Sequence, residues 1–472
     1  MSLLIKNTTL YTIGNILPQV AGFILLPIYT RYLTPADYGI VSSMQVLSTI
    51  LAIFFTLAID RSIFRLYFDY ETDRDKKDYL GTITISLVVI ATIILSILFI
   101  FKGFVGLIYE SIEFYPFYLY AILTAFLTVF SIVPKIYLQI NEKADKFVLL
   151  STVQYIFNTG FVLWFVIGDK SGAEGMLKGQ LFGNIIILPI YFYLAYRVIN
   201  FTFKLKLLKE SLSFSLPMIP GLMAAWVLNL SDRVFIERYF DLHDVGIYSL
   251  GYKIASLVLI LASALYLALN PVFYRLANSK DQKIAKSKLY QYNSMYIIVI
   301  LLITFLIAIF SKEAIQLLLD KKYFESYKIV PIISFAYLIS QTSGLFNLMI
   351  YQEKKVSKLM WISITGACLN IMLNFLFVPK LAAYGAAYST VLSFMVVFIL
   401  SFLYAKKCYY IPFNWRQIVP VISLLFVIAV LFLFMDLNVY LTLLIKVIVC
   451  FVLGFLFLNK YYKQLRVIFI KS

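Results

Sequence analysis

Between Leu80 and Phe101 the chain reads LGTITISLVVIATIILSILFIF, 22 residues without a charge. About 20 consecutive apolar residues span the hydrocarbon core of a bilayer as a helix. Runs of this kind recur near 9–30, 38–60, 80–101, 117–140, 147–167, 178–198, 213–239, 245–273, 289–311, 327–351, 358–378, 384–405, 418–435 and 440–459. They predict an all-α integral membrane protein with about fourteen spans. No segment between runs is long enough for a soluble domain. Hydrophobic residues make up 62% of the chain and charged residues 14%, against about 45–50% and 25% in a soluble domain. That excess of carbon is more than a water-soluble core could enclose.

The charges that remain are placed unevenly. With the N-terminus inside, 28 Lys and Arg fall in inner segments and 11 in outer ones, while Lys253 and Lys446 lie within spans. This bias predicts a multi-pass protein of the cytoplasmic membrane with both termini cytoplasmic, and it sets which helix ends are inner and outer. It also accounts for the net charge of +17 without a nucleic-acid partner. Cys368, Cys408 and Cys450 have no CxxC spacing, and His243 is alone. A disulfide framework, a metal site and a cofactor are therefore not expected.

One phrase is written twice. RYLTPADYGI begins at Arg31 and RYFDLHDVGI at Arg238, and Ser42 and Ser249 extend the match. Six spans separate the copies, so both run the same way through the membrane, as a parallel repeat requires. Asn158 then answers Asn370, and Gly175 answers Gly385, at nearly the same offset. The reading is two pseudo-two-fold-related six-helix lobes, 1–210 and 211–410, followed by two appendix helices and a tail in 411–472. Within the phrase, Thr34, Pro35 and Asp37 spell a helix cap, a first-turn proline and a reciprocal acid. Asp241 and Asp244 repeat the cap and acid, which makes His243 a solvated neighbour. Gly39 and Gly246, just inside each helix, mark places where another backbone passes closely.

Polar residues inside the spans are the candidates for function, because each ionised group costs roughly 2.5–3.5 kcal/mol to insert. The seventh span carries Trp226, Asn229, Arg233 and Glu237 on one face, with Asp232 beside them. The eighth carries Ser249, Lys253, Ser256, Ser263 and Asn270; the eleventh carries Ser363, Asn370 and Asn374. Asn15 and Gln19 share a face of the first span, and the second ends in Asp60, Arg61 and Arg65. A lining with more cation than anion suits a polyanion such as a phosphate ester. Two plainer readings compete: Asp232, Arg233 and Lys253 as a neutralising triad between helices, and Arg61 and Arg65 as ordinary inner-face cations. Lys446 either snorkels or lines a groove. No phosphate loop, nucleophile elbow or paired-carboxylate loop is present, so an enzyme is not expected. The acids Asp69, Glu71, Asp73 and Asp75 alternate with cations, as in a solvated loop.

Three stretches, LLPIYTRYLTPADYGIVSSMQVL, NLSDRVFIERYFDLHDVGIYSLGYKIASL and GAEGMLKGQLFGN, resemble the polysaccharide transporter branch of the multidrug/oligosaccharidyl-lipid/polysaccharide (MOP) exporter superfamily. The resemblance covers essentially the whole chain. It implies a flippase for polyprenyl-diphosphate-linked oligosaccharide in O-antigen, capsule or exopolysaccharide synthesis, opening alternately to the two faces. It further implies membrane lipids, a coupling ion and other polysaccharide assembly proteins as partners. Asp232, Arg233 and Lys253 carry over as cavity residues, and Arg31 and Arg238 as equivalent basic positions of the two lobes. The first lobe has fewer arginines than a related lipid flippase. A cation-coupled small-molecule antiporter of the same superfamily is the alternative reading.

Overall fold

The computed structural model describes Gly14, residues 18–433, Asn438, residues 440–452, Gly454 and Phe455. Among these residues the regular structure is helical throughout. Ten helices are long and apolar enough to cross a membrane. The start of the expected first span, Asn15 with it, lies outside the described residues, as does the C-terminal tail.

The helices that matter below are α1 (Leu26–Tyr32), α2 (Pro35–Thr56), α3 (Ile59–Leu66), α4 (Asp73–Ile100), α5 (Leu119–Ile140), α6 (Ala144–Leu163) and α7 (Gly172–Val198). They are followed by α8 (Leu205–Ser215), α9 (Ile219–Leu230), α10 (Asp232–Tyr239), α11 (Leu242–Ala255), α12 (Leu257–Ala277), α13 (Gln282–Leu318) and α14 (Val330–Gln352). Last come α15 (Val356–Ala405), α16 (Trp415–Leu433) and α17 (Tyr440–Val452). The 50 residues of α15 cover two expected spans, with non-helical backbone at Ala382, three residues beyond Pro379.

The seventh and eighth spans depart from the continuous helices expected. Each is interrupted at one serine that keeps right-handed helical backbone, Ser231 in the seventh and Ser256 in the eighth. Both breaks have a local cause. Ser231 Oγ donates to Val227 O at 2.8 Å, and Ser256 Oγ donates to Lys253 O at 2.6 Å. A serine hydroxyl that bonds back to the preceding turn competes with the helix ladder and bends it. The second span also stops early, at Thr56, because Leu57 and Ala58 both take left-handed backbone.

The chain packs as two compact units. One holds Met1–Ser249 with Ala367–Ala386, the other Leu250–Gly366 with Ala387–Ser472. In the first, α6 and α7 meet along Gly175, Gly179 and Gly183, small residues four apart that let helix backbones approach. A Cβ on Gly179 would fall 2.5 Å from Val162 Cα. Gly179→Val is expected to cost about 1–3 kcal/mol by overpacking, read as a lower Tm of the detergent-solubilised protein; an unchanged Tm would refute this close approach. The sequence repeat shows in the same place. A Cβ on Gly175 would lie 2.9 Å from Phe165 O, and one on Gly385 would lie 2.4 Å from Phe377 O. Each glycine thus meets the carbonyl of a phenylalanine shortly before it in the chain.

In the second unit the appendix helix α17 is tied down by charge. Lys446 Nζ donates to Glu313 Oε1 and to Ile309 O, each at 2.7 Å, and both side chains are buried. Of the two readings of Lys446, neither holds: it is an internal ion pair.

Candidate functional site

Just past Ser231, residues of α10 enter a buried polar cluster in the first unit. Asp232 is fully buried. Its Oδ1 accepts from Asn374 Nδ2 at 3.0 Å, and its Oδ2 accepts from the Tyr248 hydroxyl. Asn374 Nδ2 also lies 3.2 Å from Asn370 Oδ1, which in turn is 3.3 Å from Ser231 Oγ. Partners of this kind offset much of the cost of burying polar groups in a low-dielectric interior.

Arg233, 4% exposed, donates from Nη1 to Asn229 O at 2.9 Å. Its guanidinium sits 5.2 Å from the centroid of the Tyr248 ring, a cation–π distance. Buried Tyr38 and Tyr109 are within electrostatic reach of it. One turn on, Glu237 is also buried, and its Oε1 accepts from Ser111 N at 2.7 Å. At the rim Arg238 pairs with Glu110. The end of α10 therefore grips the segment around residues 109–111 with two charged side chains. Two carboxylates and one guanidinium are buried here, so the cluster is not the cationic surface that Arg233 suggested in the sequence.

The repeated phrase closes on itself beside this cluster. A Cβ on Gly39 would lie 1.9 Å from Leu242 O, and one on Gly246 would lie 1.9 Å from Pro35 O. The contact is reciprocal, as a local two-fold requires. Ser42 Oγ donates to Ser249 Oγ at 2.7 Å, and Trp226 Nε1 donates to Val46 O at 3.1 Å. The caps read from the sequence are in place. Asp37 N donates to Thr34 Oγ1 at 3.1 Å while Asp37 Oδ2 accepts from Thr34 N at 2.9 Å, and Asp244 N donates to Asp241 Oδ1 at 2.8 Å. Asp241, His243 and Asp244 bring ligand atoms within 4.8 Å of one another. They are largely exposed and Asp241 is engaged as a cap, so the grouping reads as the helix start.

The other sequence candidates sit elsewhere. Arg31 is exposed in the last turn of α1, and Gln19 is exposed. Arg61 and Arg65 are exposed on α3; Arg61 Nε lies 3.2 Å from Asp60, and Arg65 pairs with Asp69. Nearby, Tyr70 donates to Glu210 Oε2 at 3.2 Å, and burial together with that carboxylate pushes its hydroxyl pKa up. Lys253 is half-buried in the second unit, which begins at Leu250. The structure thus gathers Asn229, Asp232 and Arg233, and adds Glu237, Tyr248 and Tyr109. Glu237 was legible, since it shares the face of Arg233; the tyrosines were not, among 36 in the chain.

A cleft of about 300 Å³ between α4, α5 and α7, with Val88, Val129, Phe130, Pro134, Tyr191 and Phe201 in its wall, is almost entirely carbon-lined. It fits a hydrocarbon chain and not a sugar.

The family model described as "Polysaccharide biosynthesis protein" matches residues 4–277, and the MatE model matches residues 217–376. A Haemophilus influenzae Lsg locus protein is 24% identical over 74% of this chain and 85% of its own length. The capsular polysaccharide biosynthesis protein CapF of Staphylococcus aureus is 22% identical over 86% of this chain and all of its own. Among solved structures, the lipid II flippase MurJ in an inward closed conformation superposes with a TM-score of 0.74, at 12% identity, over 96% of this chain and 99% of that one. That likeness is one of fold. With the first model covering more than half of the residues, the chain belongs to the polysaccharide biosynthesis protein family, within the polysaccharide-transporter branch of the MOP exporter superfamily.

Proposed function

We propose that this transporter is a flippase that carries polyprenyl-diphosphate-linked oligosaccharide across the cytoplasmic membrane by alternating access, for the synthesis of a surface polysaccharide. The observation that carries the reading is the reciprocal packing of Gly39 and Gly246. Equivalent helix starts from the two sequence repeats meet at their outer ends, which is what a closed outer gate requires. A sugar diphosphate cannot cross hydrocarbon unaided, because unpaired charge and hydroxyls are expensive to bury. A protein that closes one face before it opens the other replaces that barrier with a conformational one. The two lobes are the repeats at 1–210 and 211–410. In this scheme Arg233, Glu237 and Arg238 hold the outer segment shut, and opening turns Arg233 and Asn229 toward the substrate. Lys253 supplies positive potential along the path, Arg61 and Arg65 stay inner-end cations held by Asp60 and Asp69, and Arg31 joins Arg238 at the outer rim.

The test is transbilayer movement of a lipid-diphosphate-linked oligosaccharide in proteoliposomes. Movement above empty liposomes is expected with the protein present. No movement across a set of glycans and imposed ion gradients would overturn the flippase reading.

The fully buried Asp232 favours one second reading, a cation-coupled antiporter. A carboxylate in the membrane can take up a proton or a small cation. Gradient-driven efflux of an organic cation by the same proteoliposomes, with no lipid movement, would select it.

A further inference from the structure

Away from α10, the described residues include an intramembrane cation with no acid beside it, Lys135. Lys135 lies on α5, five residues before the helix ends at Ile140, so about 8 Å along the axis from the inner end. Its Nζ donates to Gln154 Oε1 at 2.7 Å and lies 5.8 Å from the centroid of the Tyr191 ring. Gln154 Oε1 also accepts from the Tyr191 hydroxyl at 2.7 Å, while Gln154 Nε2 donates to Asn184 Oδ1 at 3.0 Å. Asn184 Nδ2 is taken in turn by Gln180 O at 2.9 Å. Gln154 and Asn184 are linked in this chain of contacts, and both partners of the lysine among the described residues, Gln154 and Tyr191, are neutral. An ammonium has three donors, and one is engaged here.

The surroundings set this lysine apart from Arg61, Arg65 and Lys446. Arg61 has Asp60, Arg65 has Asp69 and Lys446 has Glu313. Each of those charges is compensated; that of Lys135 is not. Nor is it an inner-surface residue, because Leu138, Phe147, Leu150, Ile187 and Tyr191 form an apolar core around this end of the α5, α6 and α7 packing. The side chain is nonetheless half-buried and not sealed. A charge placed this way costs several kcal/mol unless an anion joins it.

We propose that Lys135, oriented by Gln154 and Tyr191, is the first repeat's anion anchor and binds a phosphoryl oxygen of the lipid-linked diphosphate as it enters from the inner leaflet. The assignment rests on the flippase reading and names the residue that meets the substrate's charge on that side. Depth supports it. The headgroup zone adds roughly 5–8 Å per face to the hydrocarbon core, so an ammonium about 8 Å from the helix end lies where a lipid phosphate meets the acyl region.

The experiment is calorimetric titration of the full chain in nanodiscs with farnesyl diphosphate, and with farnesol as the uncharged probe. The parent protein is expected to bind the diphosphate more tightly than the alcohol. Lys135→Met should weaken diphosphate binding at least about tenfold, which is 1.4 kcal/mol, and leave farnesol unchanged. Lys135→Arg should stay within about threefold of the parent. Gln154 keeps its Tyr191 donor in Lys135→Met, so that variant should fold with an undiminished Tm. Equal diphosphate binding by Lys135→Met and the parent overturns the anchor while leaving the flippase reading intact. A parent that does not prefer the diphosphate to the alcohol overturns both. A fall in Tm with preference for the diphosphate retained shows the lysine to be structural and also overturns the anchor.

Discussion

Ser42→Cys combined with Ser249→Cys, in a chain whose Cys368, Cys408 and Cys450 are replaced by Ala, is expected to cross-link under mild oxidant and to stop transport until a reductant is added. The two hydroxyl oxygens are 2.7 Å apart, so the two side chains point at each other, and a disulfide asks for Cβ atoms roughly 3.5–4.5 Å apart. Gly39→Val and Gly246→Val test the same contact by the opposite route. Each places a side chain where a carbonyl oxygen is 1.9 Å from the ideal Cβ position. Backbone cannot yield as a flexible side chain does, so the helix starts must separate, at a cost of about 1–3 kcal/mol or more. A closed outer state destabilised by that much loses roughly five- to 150-fold in population. Transport should fall, and a cysteine at Ser42 should become reactive to a membrane-impermeant maleimide added from outside. A glycine variant that transports normally with Ser42→Cys still protected would remove the outer gate from the mechanism. So would a cross-linked protein that keeps working.

Arg233→Ala is expected to have the second largest effect. The guanidinium is 4% exposed and shares its surroundings with two buried carboxylates, those of Asp232 and Glu237. Removing a cation from such a set leaves buried negative charge uncompensated, which typically costs 3–5 kcal/mol. The variant should lose most of its thermal stability margin and its transport together. Asp232→Asn added to Arg233→Ala should recover part of the stability, because the neutral amide keeps the contacts to Tyr248 and Asn374 without the charge. The size of the recovery, read from a double-mutant cycle on Tm and on transport, separates the roles. Recovery of both marks a charge lock of the outer segment. Recovery of stability alone marks Arg233 as a residue that also meets the substrate. No loss in Arg233→Ala would show that the cluster neither locks nor binds.

Much of the candidate site was legible before the structure, but unevenly. Ser42 and Ser249, like Gly39 and Gly246, were matched by their shared offset of 207, and the structure puts each pair in contact. Asn370 and Asn374 were read as polar positions of the eleventh span, and both meet Asp232 or its neighbours. Lys135 was hidden by its own neighbourhood. It sits near the inner end of an apolar run and was counted among the inner-face charges, although the run of 117–140 already contained it. Helix breaks at Ser231 and Ser256 were missed because a serine in an apolar run bends the helix only when its hydroxyl turns back to the preceding turn. That rotamer is a choice of packing.

What the sequence determined by itself was local and periodic. Apolar runs of about 20 residues have no stable arrangement in a membrane except as helices with their backbone groups satisfied internally. Caps at Thr34 and Asp241, and the duplicated phrase, likewise rest on residues close together in the chain. Tertiary structure alone decided which charges are compensated. Lys446 meets Glu313 across 133 residues, and Glu237 meets the Ser111 amide across 126. Lys135 finds only amides and a phenol. A buried charge takes its energy from whatever lies within a few ångströms of it, and residues that far apart in the chain become neighbours only once the helices have packed.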